Sequence, residues 1–363
     1  WPTLPFGRRR AKLRPMPFTL SALDQSSVAS GRSPGEAIRE TLALARHVES
    51  LGFRRYWCAE HHNSPAHAGA APEVLMAAIA ATTTRVRVGS AGVMLPHYAS
   101  LKVAEQFRVL EAIAPGRIDL GVGRAPGSDG RTAFALNPNA NEAADRFPTQ
   151  VMEVLGWLGE GLPEKHPFRM VTAQPAVDTA PQVWILGSSD YGAQVAAYFG
   201  LPYCFAHFFS DGGGSEDAIE VYRQHFQPKP GMPQRLAMPH PALGVYCLVA
   251  DTEADALRLF RSRELWRLMR DRGLYQPLPS VEEAEAYPYT PEDEARLARM
   301  RAKAMVGAPE QVRAKLEALS EAHGGVAEFA VITHCHDPAA RQRSYTLLAE
   351  VFGMTAALPA AAE

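Results

Sequence analysis

Cysteine is scarce in this chain of 363 residues, and its cysteines form no CxxC pair. The four cysteines, Cys58, Cys204, Cys247 and Cys335, are widely spaced, and three of the four lie inside apolar runs. The chain is also too long for a small scaffold held together by disulfides. We therefore expect buried free thiols in a reducing compartment, which predicts a cytoplasmic protein.

An excess of charge of one sign is absent as well. The formal net charge is -2, which gives no electrostatic reason to expect nucleic acid or an anionic membrane as the main partner. No apolar run approaches the ~20 residues that cross a bilayer. With 47% apolar and 21% charged residues, the composition is that of an ordinary globular protein.

The two ends of the chain differ from the rest. A basic cluster near the start is not followed by an apolar segment, so the pattern is not that of a signal peptide. We expect a disordered leader over residues 1–16, with Met16 as a candidate natural start. A single domain is predicted over residues 17–356, followed by a flexible tail over residues 357–363.

Strand-like and helical patterns alternate through the predicted domain. The strand-like runs cover residues 18–23, 53–58, 86–95, 117–123, 181–189, 202–208, 243–250 and 327–335. Several are apolar on both faces, which is typical of parallel strands covered by helices. Eight such units without a linker predict an α/β fold, a closed (β/α)8 TIM barrel. An open doubly wound sheet is the rival, but the first βα turn lacks the GxGxxG of its dinucleotide-binding version.

Helix signals support this order. Ser33 and Glu36 form a capping-box pattern with Pro34 at the first helical position, and Gly52 supplies the stop. One helix is predicted around residues 143–158. The charged region over about residues 261–307 is too long for one crossover helix, so we interpret it as a helical insertion before the last strand, a candidate cover for the barrel mouth.

Polar and small residues gather where the predicted strands end, which is where barrel enzymes carry their chemistry. They are Asp24, Gln25, Glu60, His61, His62, Ser90, Ala91, Gly92, Gly123, Arg124, Gly187, Ser188, Ser189, Asp190, His207, Thr333 and His334. Such a set does not fit a filled core. It predicts a functional site at the barrel mouth.

The sequence AEHHN places Glu60, His61 and His62 together. A metal site is one interpretation, but neighbouring residues of a strand point to opposite faces, and no HExxH accompanies the pair, so we predict no metal site. One imidazole acting as acid, base or hydrogen-bond donor is more economical. A structural role remains the ordinary interpretation of any single histidine, and we apply it to His47, His67, His97, His166, His225 and His323.

The sequence LGSSDYG leads directly from a strand into a helix. The free N–H groups and the dipole of a helix start favour a phosphate there, although a serine that only caps the helix explains the pattern equally well. Arg124 follows a Gly-x-Gly strand end, and its guanidinium could reach the same anion. A surface ion pair is the alternative for Arg124.

Together, AEHHN, VGSAGVMLPHY, GRIDLGVGRAPG and ILGSSDYG resemble the bacterial luciferase-like flavin-dependent monooxygenase family, and its MsnO8-like subgroup most. The resemblance covers about residues 18–353. It implies a (β/α)8 barrel that binds FMN at its mouth, usually as a homodimer.

The resemblance also assigns residues. It gives His61 the place of the catalytic imidazole, and it places a non-proline cis peptide at Ala91-Gly92. The residues it implies for cofactor binding are Glu60, Ser90, Ala91, Gly92, Arg124, Gly187, Ser188, Ser189 and Tyr191. Luciferase itself has a cysteine at the position of Gly123 and a glutamate at that of Gly187, so the resemblance argues against luciferase activity.

The expected function is an FMN-dependent monooxygenase of the EC 1.14 class. It would use externally reduced FMN and O2 to oxygenate a small apolar substrate, with a flavin reductase as a possible supplier of reduced FMN. Met94, His97, Tyr98, Phe134 and Phe208 suggest an apolar substrate pocket. A relative that uses the deazaflavin F420, a non-catalytic flavin-binding protein and a barrel hydrolase are the alternatives.

Overall fold

The computed structural model describes residues 18–125, 127–209, 213–229 and 231–354. In that part of the chain the strands are β1 (Thr19–Asp24), β2 (Arg55–Cys58), β3 (Arg87–Ser90), β4 (Val93–Met94), β5 (Ile118–Gly123), β6 (Gln182–Gly187), β7 (Tyr203–Phe205), β8 (Pro241–Val249), β9 (Met305–Gly307) and β10 (Glu328–Ile332). The predicted leader (residues 1–16) and tail (residues 357–363) lie outside the described residues.

Helices follow the strands along the chain. They are α1 (Pro34–Leu51), α2 (Pro72–Thr82), α3 (Ser100–Ile113), α4 (Gly130–Leu136), α5 (Ala140–Asp145), α6 (Phe147–Leu155), α7 (Asp190–Phe199), α8 (Ser215–Gln224), α9 (Glu253–Asp271), α10 (Val281–Ala286), α11 (Pro291–Lys303), α12 (Pro309–Ala322) and α13 (Pro338–Val351). The first helix begins and ends as predicted: Ser33 and Glu36 form a capping box, and Gly52 adopts a left-handed φ of 87°.

Eight parallel strands close into a barrel. The strand order is β1, β2, β3, β5, β6, β7, β8, β10, and β10 pairs in parallel with both β8 and β1. Residues of these strands are buried on both faces, as in β8, where every residue is buried. The predicted closed (β/α)8 barrel is confirmed.

The barrel interior is filled by aromatic rings and a charged network. Trp57 and Trp184 meet edge to face with ring centroids 4.9 Å apart. Arg55 bridges two buried carboxylates, Asp119 at 2.8 Å and Glu328 at 3.0 Å. Burial alone would raise the pKa of Glu328, but Arg55, the nearby His240 ring and the hydrogen bond from Ser21 outweigh it and hold that pKa below its usual value. A filled interior leaves the mouth as the place for a ligand.

Three predicted elements have different bounds. The strand predicted over residues 86–95 ends at Ser90, because the chain bends at Ala91-Gly92 before β4 and a 3-10 turn. The helix predicted around residues 143–158 is divided into α5, α6 and a π-helical turn that contains Gly159 at φ 134°. The insertion predicted over residues 261–307 begins within α9, which starts at Glu253, and ends in β9, which extends the edge of β8.

Candidate active site

A cavity of about 250 Å3 opens at the carboxyl ends of the barrel strands, and we call it the inner cavity. Every residue that the resemblance assigns to catalysis or cofactor binding, except Ser90, lines it: Glu60, His61, Ala91, Gly92, Arg124, Gly187, Ser188, Ser189 and Tyr191. These residues follow β2, β3, β5 and β6, so segments distant in sequence meet at one place. The structure therefore brings the motifs together as the strand-end argument predicts.

Ser90 differs from the other predicted residues. Its side chain is fully buried, and its hydroxyl donates to the Gly121 carbonyl at 2.9 Å and accepts from the Gly121 N–H at 3.0 Å. The Ser90 hydroxyl thus links β3 to β5 in the place of a backbone hydrogen bond, just before the chain bends. The structure gives Ser90 the role of positioning Ala91 and Gly92, and no contact with the cavity.

The Ala91-Gly92 peptide bond is cis, as the resemblance implies. Both residues line the inner cavity, and neither carries a bulky side chain. A Cβ on Gly92 would lie 2.8 Å from the Gly121 carbonyl oxygen and 2.7 Å from Leu186 Cδ1. The neighbouring strands therefore leave space only for glycine at position 92, and the cavity wall carries no bulky side chain at Ala91 or Gly92.

Replacing Gly121 with alanine should destabilise the protein by about 3 kcal/mol, since overpacking a filled site costs roughly 1–3 kcal/mol or more. A Cβ there would lie 2.2 Å from the Ser90 carbonyl oxygen, which is backbone and cannot rotate away. Urea denaturation measures the change. Gly35→Ala in α1 is the control, because its Cβ would meet nothing closer than 3.5 Å, and it should leave stability unchanged or slightly higher. Equal stability of the two variants would contradict the close contact.

One end of the inner cavity has the features of an anion site. Ser189 caps α7, but its side chain makes no capping hydrogen bond, so the first N–H groups of the helix remain available to a ligand. The guanidinium of Arg124 lies over the Tyr191 ring at 4.0 Å. Among the described residues Arg124 has no carboxylate within ion-pair distance, which does not support the surface ion pair considered as its alternative.

Glu60 fixes the loop after β2 to the segment after the cis peptide. Its buried carboxylate accepts hydrogen bonds from the Met94 N–H at 3.0 Å and the Tyr98 hydroxyl at 2.7 Å, and it contacts His62 Nε2 at 2.7 Å. Burial and the Glu60 charge raise the pKa of Tyr98, so the phenol stays a donor. Glu60 lines the cavity, but its oxygens are already engaged in holding the site together.

His61 lies at the inner cavity with a neutral ring. Burial, with a smaller effect of His62, lowers the pKa of His61 to about 4. The backbone N–H of His61 donates to the Gly69 carbonyl at 2.9 Å, which fixes the residue, while its Nδ1 is buried with no hydrogen-bond partner in the described part of the chain. His61 can therefore accept or donate a hydrogen bond to a ligand at neutral pH.

His67 was assigned a structural role from the sequence, yet it lies directly against His61. The two rings stack with centroids 4.4 Å apart. The chain reverses at Asn63, which has a left-handed φ of 50°, and Ala66 and Ala68 then hydrogen-bond to the segment after β1. The local sequence pattern around His67 does not predict that this loop packs against the segment after β1. The residue that pairs with His67 is Ser27, 40 residues earlier in the chain.

A second cavity of about 560 Å3, which we call the outer cavity, adjoins the first. Its lining consists of Gln25, His61, His62, Asn63, Ser64, Ala66, His67, Gly127, Ser128, Asp129, Phe208, Phe209, Arg263, Trp266, Arg270, Tyr275 and His334. Gln25, His61 and Phe208 line both cavities. His61 therefore stands between them, and α9 of the predicted insertion borders the outer one.

Part of the predicted apolar pocket lies elsewhere. Met94 and Phe208 line the inner cavity. His97 and Tyr98 instead line a groove between α3 and α6, on the far side of Glu60, and Phe134 is 65% exposed on α4. The strand-end residue Asp24 also faces away from the mouth, toward Arg341 of α13 at 2.7 Å.

Three further features of the described residues bear on function. They hold no group of three or more His, Cys, Asp or Glu residues placed to bind a metal ion. Within the same residues, no helix is both long and apolar enough to span a membrane. All four cysteines are free and buried, which confirms the expectation from their apolar surroundings.

Comparison with known proteins matches residues 16–325 to the family model described as luciferase-like monooxygenase. The chain is 43% identical over 335 residues to the uncharacterized protein YwcH of Bacillus subtilis, covering 92% of this chain and 99% of that protein. It is 37% identical over 335 residues to a protein of Escherichia coli named luciferase-like monooxygenase, with 92% and 97% covered.

Solved structures agree with these matches. The crystal structure of apo-MsnO8 superposes with a TM-score of 0.81 at 34% identity, covering 93% of this chain and 99% of that one. The fold is shared at lower identity by the oxygenating constituent of 3,6-diketocamphane monooxygenase in complex with FMN, with a TM-score of 0.66 at 20% identity. It is also shared by an F420-dependent secondary alcohol dehydrogenase, with a TM-score of 0.63 at 15% identity.

Proposed function

Because this chain belongs to the luciferase-like monooxygenase family, we propose that it uses reduced FMN and O2 to oxygenate a small organic substrate. The observation that carries this proposal is the convergence on one cavity of His61, the Ala91-Gly92 backbone and the Arg124 guanidinium. This arrangement offers a proton-handling group, a flat approach and an anion site. A barrel hydrolase would need a nucleophile or paired carboxylates there instead.

The residues of the inner cavity fit FMN. Arg124 and the uncapped start of α7 would hold the phosphate, with charge-assisted hydrogen bonds from the guanidinium and the helix N–H groups. Ala91 and Gly92 would lie against the isoalloxazine, where the Gly121 backbone leaves no room for a side chain. Bound reduced FMN would supply the electrons that activate dioxygen for transfer of one oxygen atom to the substrate.

The protein's own part is to position groups, exclude water and move a proton. His61, neutral and with an unpartnered Nδ1, is placed to exchange a proton with the reacting groups. Glu60 holds the His62 side of the loop in place through its hydrogen bonds. Phe208, on the boundary of both cavities, shields the site from water.

The proposal extends to the reaction class and partners. The reaction would belong to EC 1.14, with a separate flavin reductase delivering reduced FMN to the open mouth. The active species would be a homodimer. F420-dependent hydride transfer is the second candidate, since a protein of the same fold uses that cofactor.

An anaerobic titration tests the cofactor. We expect photoreduced FMN to bind more tightly than F420 and, after rapid mixing with air-saturated buffer, oxidised FMN to appear more slowly than from free reduced FMN. A non-catalytic carrier would bind FMN without changing its rate of oxidation. Preference for F420 over FMN would favour the hydride-transfer reaction and overturn the proposal.

Replacing Arg124 with glutamine should weaken binding of reduced FMN by about 10- to 100-fold, since a hydrogen bond to a charged group contributes roughly 1.5–3 kcal/mol. Riboflavin, which lacks the phosphate, should bind the variant and the wild type equally well. Fluorescence titration with both ligands measures the difference. Arg131→Gln, an exposed arginine of α4 that does not line the inner cavity, is the matched control. An equal loss for riboflavin would show that Arg124 does not contact the phosphate.

A further inference from the structure

The outer cavity lies beside the proposed flavin site and is closed on one side by α9. Trp266 of this helix is buried at the cavity wall, while Phe208 and Tyr275 add apolar surface. The cavity shares His61 with the inner one, so a molecule bound in the outer cavity would reach the proton-handling group.

Positive charge predominates on the α9 side of this cavity. Arg270 lines it, half-buried, with its guanidinium 5.5 Å from the centre of the Trp266 ring. Its acidic neighbour Asp271, at 3.0 Å, is shared with Arg267 at 3.3 Å and with Arg296. Within the part of the chain that the structure describes, Asp271 thus contacts three guanidiniums, so it offsets the charge of Arg270 only in part.

The acidic group in the described lining of this cavity does not cancel the charge of Arg270. Asp129 is exposed and caps α4. Its carboxylate accepts from the Thr132 hydroxyl at 2.6 Å, from Asn63 Nδ2 at 3.1 Å and from backbone N–H groups. Since water and these donors already solvate Asp129, it opposes an anion in the cavity only weakly.

Two polar atoms of the lining also lack a partner. His61 Nδ1 and His334 Nδ1 are buried with no hydrogen bond to any residue that the structure describes. The other ring nitrogen of His334 contacts Gln25 Oε1 at 2.8 Å, which fixes the ring. Buried nitrogens of this kind are usually satisfied in the functional state, so a ligand with polar groups along its length suits the cavity better than a hydrocarbon.

We propose that the outer cavity is the substrate site and that it takes an organic anion, a carboxylate with an apolar or aromatic body. Arg270 receives the carboxylate, Trp266 and Phe208 contact the body, and the far end of the molecule reaches His61. This inference rests on the proposed function and narrows its substrate class: the substrate is amphipathic and not simply apolar.

Isothermal titration with a matched pair of probes tests this assignment on the full chain in the presence of FMN. Phenylacetate and phenylacetamide have nearly the same shape and differ in charge. We expect phenylacetate to bind wild type at least about tenfold more tightly. In Arg270→Gln this preference for phenylacetate should fall to about twofold or less. Arg270→Lys should retain part of it, because lysine keeps the positive charge but lacks the planar guanidinium that donates two hydrogen bonds to a carboxylate.

Arg296→Gln is the matched control. It removes another arginine from Asp271 but does not line the outer cavity, so it should keep the preference of the wild type. Equal binding of the two probes by wild type, or an unchanged preference in Arg270→Gln, would overturn the anion site and leave the flavin proposal standing. Failure of FMN to bind wild type in its own titration would instead overturn the flavin proposal, and with it the substrate role of the cavity.

Discussion

Replacing His61 with alanine should lower turnover at least about 100-fold, while the Kd for reduced FMN stays within about threefold of wild type. Proton transfer by a positioned side chain typically contributes ~100- to 10000-fold to a rate. The imidazole borders both cavities, and none of the proposed phosphate contacts depends on it. Product formation with the first substrate that wild type converts, measured alongside an anaerobic FMN titration, separates the two quantities.

The pH profile refines this expectation. With a pKa of about 4, His61 stays neutral from pH 8 to pH 5, so its protonation should produce no fall in the wild-type rate over that range. His225→Ala is the control variant, since that histidine is exposed at the end of α8, where its ring contacts the Val221 carbonyl, and it lines neither cavity. Loss of FMN binding in His61→Ala, with the protein still folded, would make the role of His61 structural.

Most of the architecture could be predicted because it depends on local, repeating signals. Buried strands, capping boxes and helix stops recur along the chain, and the α1 boundaries at Ser33 and Gly52 follow from the chemistry of those residues alone. Errors in bounds occurred where tertiary geometry overrides the local pattern. The helix predicted around residues 143–158 is divided at Arg146, between α5 and α6, and the chain bends after Ser90, whose hydroxyl hydrogen-bonds to Gly121 of another strand.

The sequence predicts the site residues that directly follow a strand, and it does not predict the others. His61, Arg124 and Ser188 follow strands directly, and parallel strands bring their carboxyl ends together. His67 and Arg270 carry no such signal, because a loop that pairs with the segment after β1 and a helix of the insertion place them. The inner cavity was therefore largely predictable from the sequence, whereas the outer cavity was predictable only at its strand-end residues, such as Gln25 and His334, and not on its α9 side.

The histidines of the two cavities should make the protein acid-labile at an unusually high pH. Burial is the main cause that lowers the pKa of His61 to about 4 and of His67 to about 3, the latter helped by the charges of His61 and Arg270. Burial also lowers the pKa of His334 well below its usual value, with Arg263 adding to the effect. In the unfolded chain such rings titrate near ~6.5. Below that pH the unfolded state therefore binds more protons than the folded state, and the folded state becomes less stable.

This difference in proton binding sets the direction and the size of the change in the free energy of unfolding with pH. Stability should be fully present above pH 6.5 and should fall as the pH drops from 6.5 toward 4. Each unit of pH costs about 1.4 kcal/mol for each such histidine, so His61 and His67 together should cost about 4 kcal/mol at pH 5. Buried Asp24 and Glu328 have lowered pKa values, so their contribution is lost only below about pH 4 and does not mask this window.

Urea denaturation at pH 7.5 and pH 5.0 measures the loss, and His67→Gln identifies its source. Glutamine keeps a polar group of similar size but does not titrate, so the variant should lose about 2 kcal/mol less than wild type between the two pH values. The comparison is independent of how the substitution changes stability at pH 7.5, because only the difference between pH values counts. An equal loss in both proteins would mean that His67 carries its proton in the folded state. The stacked pair would then present a positive charge beside His61, which is incompatible with the neutral, buried histidine cluster from which the site is argued.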